Sequence, residues 1–206
     1  HQIGTPLTSM VGWITLLKEK QKKSIPLIEI EKDIARLNLI TDRFSKVGSI
    51  PKLIPSALTS VVQETVHYLQ NRSSEHIKFK IQLPNKKIII PLNPQLINWT
   101  LENLIKNGID AMKGKGNLNI RLLEKASEIE ILISDTGSGM KKEVANKIFK
   151  PGFTTKNRGW GLGLSLAKRI IVDFHNGKIS VLKTVLGKGT SFQVLLKKAP
   201  FKNSKE

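Results

Sequence analysis

Asp135 stands where a run of alternating apolar residues, IEILISD, gives way to a glycine-containing turn, DTGSGM. The alternation predicts a β-strand that ends at the aspartate. A carboxylate at a strand end can accept a hydrogen bond from the exocyclic amine of a purine. Glycines such as Gly137 and Gly139 let the backbone approach a ligand closely. The same pattern is common in plain turns, so alone it leaves a purine site and a structural turn both open.

A second glycine-rich stretch, RGWGLGLSLAKRI, places Gly159, Gly161, Leu162 and Gly163 at the start of a predicted helix. Glycines there expose backbone N–H groups that can hold phosphate. The spacing is similar to a dinucleotide-binding fingerprint, but no β-α-β unit surrounds it, and the Gly-Lys-Ser/Thr ending of a P-loop is missing. A phosphate site of another kind and a flexible loop before the helix are the two interpretations.

The predicted helix PQLINWTLENLIKNGIDAM carries polar side chains on one face, at Glu102, Asn103, Asn107 and Asp110. Their oxygens suit Mg²⁺, which keeps several waters and needs few protein ligands when phosphate oxygens share it. An ordinary solvated polar face explains the same pattern when the helix is taken alone.

The stretch KIFKPGFTTKNR combines apolar anchors with cations. Phe149 and Phe153 are predicted to fix a loop on the core. Thr155, Lys156 and Arg158 are then able to reach a terminal phosphate, since loops that close on nucleotides commonly supply cations. A basic surface loop is the alternative.

The first residues, HQIGTPLTSM, contain a possible nucleophile in His1. Apolar residues repeat along residues 1–20 in steps of four and three, which predicts a bundled helix with one buried seam. His1 and Thr5 are four residues apart and lie on the side away from that seam. An exposed imidazole on such a stripe is accessible for chemistry, although a terminal histidine with no role is the alternative.

The chain carries a formal net charge of +18. Such a surface attracts polyanions, acidic proteins or phosphates. Aromatic residues make up only 5% of the chain and the lysines are scattered, so we expect no nucleic-acid partner. The absence of cysteine excludes a disulfide framework and a thiolate metal site.

The apolar periodicities predict an α+β protein with two domains. Residues 1–50 form an antiparallel helical hairpin, which needs a second copy to give a four-helix bundle. Residues 51–206 form an α/β sandwich, with helices on one face of a sheet whose strands have antiparallel spacing. Its predicted helices cover 55–69, 94–112 and 162–174, and its strands cover 77–83, 86–92, 118–124, 129–135, 177–184 and 191–197.

The sequence begins without methionine and has no apolar run long enough to span a bilayer. We therefore expect it to be part of a longer chain and to act in the cytoplasm. Any membrane attachment is expected in other parts of that chain.

These motifs, in this order, closely resemble those of the sensor histidine kinases of two-component signalling. HQIGTPL resembles their H box, LENLIKNGIDAM their N box and DTGSGM their first glycine box. KIFKPGFTTK resembles the F box, GWGLGL the second glycine box and GKGTSF a further glycine motif. The resemblance covers essentially the whole chain and implies an ATP-binding domain of the gyrase, Hsp90 and histidine-kinase type in residues 51–206.

The resemblance also implies a role for each matching residue. His1 becomes the phosphoacceptor, and Thr5 places water for dephosphorylation of the partner. Asn107 binds Mg²⁺, and Asn103 assists catalysis through phosphate contacts. ATP is then bound by a set that contains the adenine acceptor, the pocket glycines and the cations of the loop: Asn103, Asn107, Asp110, Asp135, Gly137, Gly139, Thr155, Lys156, Arg158, Gly159, Gly161, Leu162, Gly163 and Thr190.

The function implied is ATP-dependent autophosphorylation of His1, followed by relay to an aspartate on a response regulator receiver domain. The kinase is expected to be a homodimer. Gln2 departs from the family, which usually has Glu or Asp directly after the histidine. A kinase-poor scaffold or a response-regulator phosphatase is therefore the alternative. An ATPase of the gyrase or Hsp90 kind is a second alternative, against which the helical hairpin and the lack of a transducer domain count.

Overall fold

The structure is a computed structural model that describes residues 10–15, 17, 30, 34, 51–156 and 161–198. The chain divides into two compact units, His1–Pro51 and Lys52–Glu206. His1, Gln2, Thr5, Arg158 and Gly159 lie outside the described residues, so their predicted roles stay predictions.

In the first unit the described residues 10–15, 17, 30 and 34 are helical. Ile14 and Ile34 are both buried and pack against each other, which brings the two predicted helical segments into contact. Met10, Trp13 and Leu17 keep about half or more of their surface exposed. The hairpin and its assembly with a second copy remain predictions.

The second unit contains seven strands and four α-helices within the described residues. Strands β1 to β7 are Ile54–Ala57, Ile77–Gln82, Ile89–Leu92, Gly116–Glu124, Glu128–Asp135, Lys178–Val185 and Gly189–Lys197. Helices α1 to α4 are Leu58–Gln70, Pro94–Met112, Lys142–Ala145 and Gly163–Arg169, and α4 continues into a π-helical turn, Ile170–Phe174.

Five strands form the main sheet in the order β2-β4-β5-β7-β6. The pairs β4–β5, β5–β7 and β6–β7 are antiparallel, but β2 and β4 are parallel. The expectation of antiparallel spacing throughout is therefore wrong for this pair. The chain between the two strands passes through β3 and α2, and such a long crossover returns the next strand in the same direction.

The segment that precedes α1 is also different from the prediction. Residues 54–57 form a strand that pairs with β3, so the helix begins at Leu58 instead of Pro55. Pro55 disfavours helical backbone at the preceding residue, Ile54. A proline also lacks the N–H of a central strand, which suits this separate two-stranded ribbon.

The hydrophobic core lies between one face of the main sheet and the helices. Alternate residues of β4 and β5 are almost fully buried, and they pack with the apolar faces of α1 and α2. The predicted α/β sandwich is confirmed. Its innermost side chains are Leu58, Leu101, Leu104, Ile105, Leu118, Ile120, Ile129, Ile131 and Ile133.

The predicted helix over residues 162–174 is divided into α4 and the π-helical turn. The short helix α3 was not predicted from the apolar periodicity, because four residues are too few to show one. Among the described residues, no helix is both long and apolar enough to span a bilayer.

Candidate nucleotide-binding site

Helix α2 positions one side of the candidate site, and its ends are set by local sequence. Asn93 caps the first turn, because its Oδ1 accepts a hydrogen bond from the Leu96 N–H at 3.1 Å, and Pro94 occupies the first helical position. The helix ends at Met112, and the next residue, Lys113, adopts a left-handed conformation with φ of 52°. The helical period of about 3.6 residues places residues 103, 107 and 110 on one face.

The carboxylate of Asp135 lies at the end of β5 and is only 8% exposed. Its Oδ1 accepts hydrogen bonds from the N–H groups of Gly137 at 2.8 Å and Thr190 at 3.3 Å. Burial raises the pKa of the Asp135 carboxyl above its ordinary value, while these backbone hydrogen bonds oppose that shift. The side chain is therefore held in one orientation as a hydrogen-bond acceptor with little access to water.

Gly108 of α2 faces this carboxylate. A Cβ added at Gly108 would lie 3.2 Å from Asp135 Cβ, 3.5 Å from Asp135 Oδ2 and 3.0 Å from Leu118 Cδ1. Sequence reasoning missed this residue as part of the site. The signal was available, because a glycine inside a helix costs about 1 kcal/mol relative to alanine and so suggests a packing reason.

The DTGSGM turn passes close to two other segments, and its glycines make this possible. A Cβ on Gly137 would lie 2.6 Å from the Ala111 carbonyl carbon, and one on Gly139, where φ is +60°, would overlap the carbonyl oxygen of Val185. The Ser138 N–H donates to Ala111 O at 3.0 Å. The turn is thereby fixed against the C-terminal half of α2.

Thr190 joins β7 to the same turn. Its N–H holds Asp135, and its hydroxyl lies 3.1 Å from that of Thr184. Thr184 Oγ1 also accepts a hydrogen bond from the Met140 N–H at 3.0 Å. Thr184 was missed in the sequence, because nothing local distinguishes it from other strand threonines.

The second half of the site is formed by Lys156. Its Nζ donates to Asn107 Oδ1 at 2.8 Å and to Asp110 Oδ2 at 2.7 Å. The Lys156 N–H donates to Thr154 Oγ1 at 3.1 Å. Thr155 is exposed beside it. The structure therefore brings Lys156 to the polar face of α2. The nearer of its two partners, Asp110, is 46 residues earlier in the sequence.

The start of α4 approaches the same helix. A Cβ on Gly163 would lie 3.0 Å from Asn103 Oδ1. Asn103 Nδ2 is buried and has no hydrogen-bond partner among the residues that the structure describes. Gly161 O accepts a hydrogen bond from the Gly152 N–H at 3.1 Å, and Leu162 is the residue before the first turn of α4. The buried Nδ2 of Asn103, which lacks a partner among the described residues, therefore suits a contact with phosphate oxygens.

Glu102 does not join the other polar residues of α2. It forms an ion pair with Lys106 at 3.0 Å and lines the groove between α1 and α2 with Tyr68 and Asn98. Phe149 and Phe153 are partly buried and pack against the core, with Phe149 edge-on to Phe192.

Consecutive residues of α2 connect the two halves. Asn107 contacts Lys156, and Gly108 faces Asp135. The arrangement offers a buried acceptor for a purine amine at one end and a lysine with cation-binding oxygens at the other. Asn107 Oδ1 already accepts a hydrogen bond from an ammonium group, so it fits Mg²⁺ shared with phosphate, and Asp110 holds that ammonium group beside it. In the described part of the chain, no cluster of three or more His, Asp or Glu side chains forms a separate metal cage.

Known proteins with similar sequences are sensor kinases. Sporulation kinase D of Bacillus subtilis (strain 168) is 29% identical over 205 residues, which cover 95% of this chain and 40% of that protein. The histidine-protein kinase AtoS of Escherichia coli (strain K12) is 29% identical over 204 residues, which cover 95% of this chain and 33% of that protein. The chain thus spans less than half the length of these relatives.

Solved structures and a family match agree with this similarity. The catalytic domain of histidine kinase ThkA has a TM-score of 0.66 and 27% identity, over 72% of this chain and 97% of that chain. Residues 93–200 match the family described as "Histidine kinase-, DNA gyrase B-, and HSP90-like ATPase". The chain therefore belongs to the histidine kinase-, DNA gyrase B- and HSP90-like ATPase family, and the resemblance to sensor histidine kinases that its motifs predict is confirmed.

Proposed function

We propose that the protein is an ATP-dependent histidine kinase that phosphorylates His1 and passes the phosphoryl group to an aspartate of a response regulator. The main support for this proposal is the burial and fixed orientation of the Asp135 carboxylate. The carboxylate is buried, both backbone hydrogen bonds fall on Oδ1, and Oδ2 faces Gly108. A buried acceptor fixed in this way matches the donor amine of adenine.

The residues at the other end of the site are suited to the phosphate chain. Lys156 supplies a cation for the terminal phosphate, and the Nδ2 of Asn103, which has no partner among the described residues, supplies a donor on a side chain that lies beside Gly163. Asn107 would supply an oxygen for Mg²⁺, which neutralises phosphate charge when bound, and Asp110 holds Lys156 beside it. Positioning and charge neutralisation of this kind are the main protein contributions to phosphoryl transfer.

The proposed reaction is a displacement at the γ-phosphorus of ATP. An imidazole nitrogen of His1 forms a bond to the γ-phosphorus, and the bond from that phosphorus to the β–γ bridging oxygen breaks. ADP leaves with the electron pair, and the imidazole loses its proton to water. In this proposal Thr5 orients the water that later dephosphorylates the partner.

The partner and assembly are proposed from the sequence and from similar proteins. One solved structure, ThkA in complex with response regulator protein TrrA, has a TM-score of 0.68 to this chain at 24% identity, over 98% of this chain and 60% of that chain. That likeness supports the fold alone, and the complex with a regulator is a property of ThkA. We propose a receiver domain as the partner, a homodimer as the working unit and the cytoplasm as its location. Among the described residues nothing favours the scaffold, phosphatase or gyrase-like alternatives; Gln2, which lies outside them, is the residue that suggests the first two.

The proposal is tested by incubating the chain with γ-labelled ATP and Mg²⁺, and then treating the product with acid. We expect label that is lost in acid, because a phosphoramidate is acid-labile and a phosphoester survives. His1→Gln should abolish the label and leave ATP binding unchanged. Asn107→Ala should also abolish the label, without loss of folding by circular dichroism. Acid-stable label, or full labelling of the His1→Gln chain, would refute the assignment.

A further inference from the structure

The contacts of Lys156 use the same oxygen that the proposed metal site needs. Lys156 Nζ lies 2.8 Å from Asn107 Oδ1. A Mg²⁺ ion on that oxygen would sit about 2.1 Å from it, and hence within about 5 Å of the ammonium nitrogen. Two like charges at that separation repel each other. Lys156 and the metal therefore compete for Asn107 Oδ1, and binding of the metal weakens this contact of Lys156.

Lys156 has a second contact, with the carboxylate of Asp110. Here the competitor for the ammonium group is a phosphate of the nucleotide and not the metal. Asp110 Oδ2 lies 2.7 Å from the ammonium nitrogen, which is the shorter of the two contacts. Lys106, one turn before Asp110 on α2, does not replace Lys156 here, because it is paired with Glu102 at 3.0 Å. Lys156 gives up Asp110 only for a group that offers at least as much negative charge.

We infer that Asp110 and Lys156 form a specificity pair: Asp110 holds Lys156 until a terminal phosphate takes the place of Asp110 as the partner of the ammonium group. A nucleoside diphosphate with its metal displaces Lys156 from Asn107 but leaves it on Asp110. A nucleoside triphosphate supplies a further phosphate and draws Lys156 away from both residues. Asp110 is thus a specificity-determining residue that sets how strongly the site distinguishes ATP from ADP. This inference rests on the proposed function and deepens it.

The size of the effect follows from the exposure of the pair. The side chains of Lys156 and Asp110 are 44% and 55% exposed. Ion pairs with this exposure change an equilibrium by up to about fivefold. The pair therefore adjusts the selectivity between the two nucleotides and does not block the site.

The test compares equilibrium binding of ADP and of the non-hydrolysable triphosphate AMPPNP, each with Mg²⁺, by calorimetry. Asp110→Asn should bind AMPPNP about threefold to fivefold more tightly, with ADP affinity changed less than about twofold. Lys156→Met should bind the two nucleotides with nearly equal affinity. Glu102→Gln, which removes one negative charge from the same helix outside the pair, should leave the affinity ratio unchanged.

The double variant, Asp110→Asn with Lys156→Met, distinguishes an effect of Asp110 through Lys156 from direct repulsion between Asp110 and the phosphates. If Asp110 acts through Lys156, adding Asp110→Asn to Lys156→Met changes the affinity ratio no further. A full effect of Asp110→Asn without Lys156 would mean that Asp110 repels phosphate directly, and this overturns the inference. Weaker binding of both nucleotides by Asp110→Asn overturns it as well. Nucleotide binding with an unchanged ratio refutes only the specificity pair, whereas no nucleotide binding by the unmodified chain refutes the proposed function too.

Discussion

The ring of His175 hydrogen-bonds to Asn93 across 82 residues of sequence: the Asn93 N–H donates to Nε2 of the buried imidazole at 3.1 Å. The other ring nitrogen, Nδ1, lies 2.8 Å from Ile170 O, the first carbonyl of the π-helical turn. These two contacts require a neutral ring with its proton on Nδ1. His175 thereby joins the end of the α4 segment to the cap of α2, the two helices that carry the proposed phosphate site.

The free energy of unfolding is expected to fall as the pH is lowered from about 6.5. Burial lowers the pKa of His175 below its ordinary value, although its bond to the Ile170 carbonyl opposes the shift. The unfolded chain therefore takes up a proton before the folded one does, and stability is lost between the ordinary pKa and the lowered one. Urea unfolding followed by circular dichroism at a series of pH values measures this loss.

A His175→Gln chain provides the comparison. It should be less stable near neutral pH by about 1–3 kcal/mol, since buried groups lose partners, and the difference from the unmodified chain should shrink as the pH falls. The exposed His76 serves as the control for loss of an imidazole, because His76→Gln should change stability at neutral pH by less than about 0.5 kcal/mol. A constant difference between the chains at all pH values would contradict the proposed neutral ring.

Asp135→Asn should lower ATP affinity at least about tenfold without reducing stability. The amide keeps an oxygen for the Gly137 and Thr190 N–H groups but places a donor where adenine offers a donor, and an unpaired buried group costs about 1–3 kcal/mol.

Because burial raises the pKa of Asp135, the unmodified chain loses stability as the pH rises from the ordinary carboxyl pKa through the raised one. Nucleotide titrations and urea midpoints check the two effects separately, and unchanged affinity would remove Asp135 from the adenine site.

The sequence indicates where a residue lies along its own strand or helix better than it indicates which residues meet in the fold. Asp135 could be placed from local sequence, because period-two alternation fixes where β5 ends. The contact between Lys156 and Asp110 is tertiary, so no pattern shows it. Glu102 was grouped with Asn103, yet one residue of helix is a rotation of about 100°, enough to turn its side chain toward α1 instead.

The sheet shows the same limit. The apolar periods predicted the positions of most strands, but they contain no information about which strands are neighbours. The parallel pairing of β2 with β4 depends on where α2 packs. Pro55, which starts the stretch predicted as helix, lies instead in a strand because β3 offers an antiparallel partner.

Gly108→Ala should weaken ATP binding while changing stability little. The new methyl group would press on Leu118 at 3.0 Å and lie 3.5 Å from Asp135 Oδ2, the oxygen proposed to meet adenine. The helix propensity of alanine is better than that of glycine by about 1 kcal/mol, which offsets part of the steric cost. Nucleotide titration and urea unfolding of the same samples give both quantities. Equal ATP affinity in the two chains would show that α2 does not form a wall of the adenine site at Gly108.

Gln2 lies outside the described residues, so its effect is predicted from its chemistry. When one imidazole nitrogen of His1 attacks phosphorus, the ring becomes cationic. A neighbouring carboxylate would stabilise that charge and accept the proton from the other nitrogen. The side-chain oxygen of Gln2 can orient the ring, but it carries no charge and is too weak a base to accept the proton.

Gln2→Glu should therefore accelerate labelling of His1 by at least about tenfold, since general bases contribute about 10²–10⁴-fold. ATP affinity should not change, because the substitution alters the attacking group and leaves the nucleotide site as it is. Initial rates of labelling with γ-labelled ATP, measured at saturating nucleotide, give the comparison. Gln2→Asn is the matched control: it shortens the side chain without adding charge and should show no acceleration. Equal rates for the unmodified chain and the Gln2→Glu variant would mean that proton removal does not limit the transfer. Absence of label in both chains, with ATP bound, would instead favour the kinase-poor scaffold or phosphatase that Gln2 first suggested.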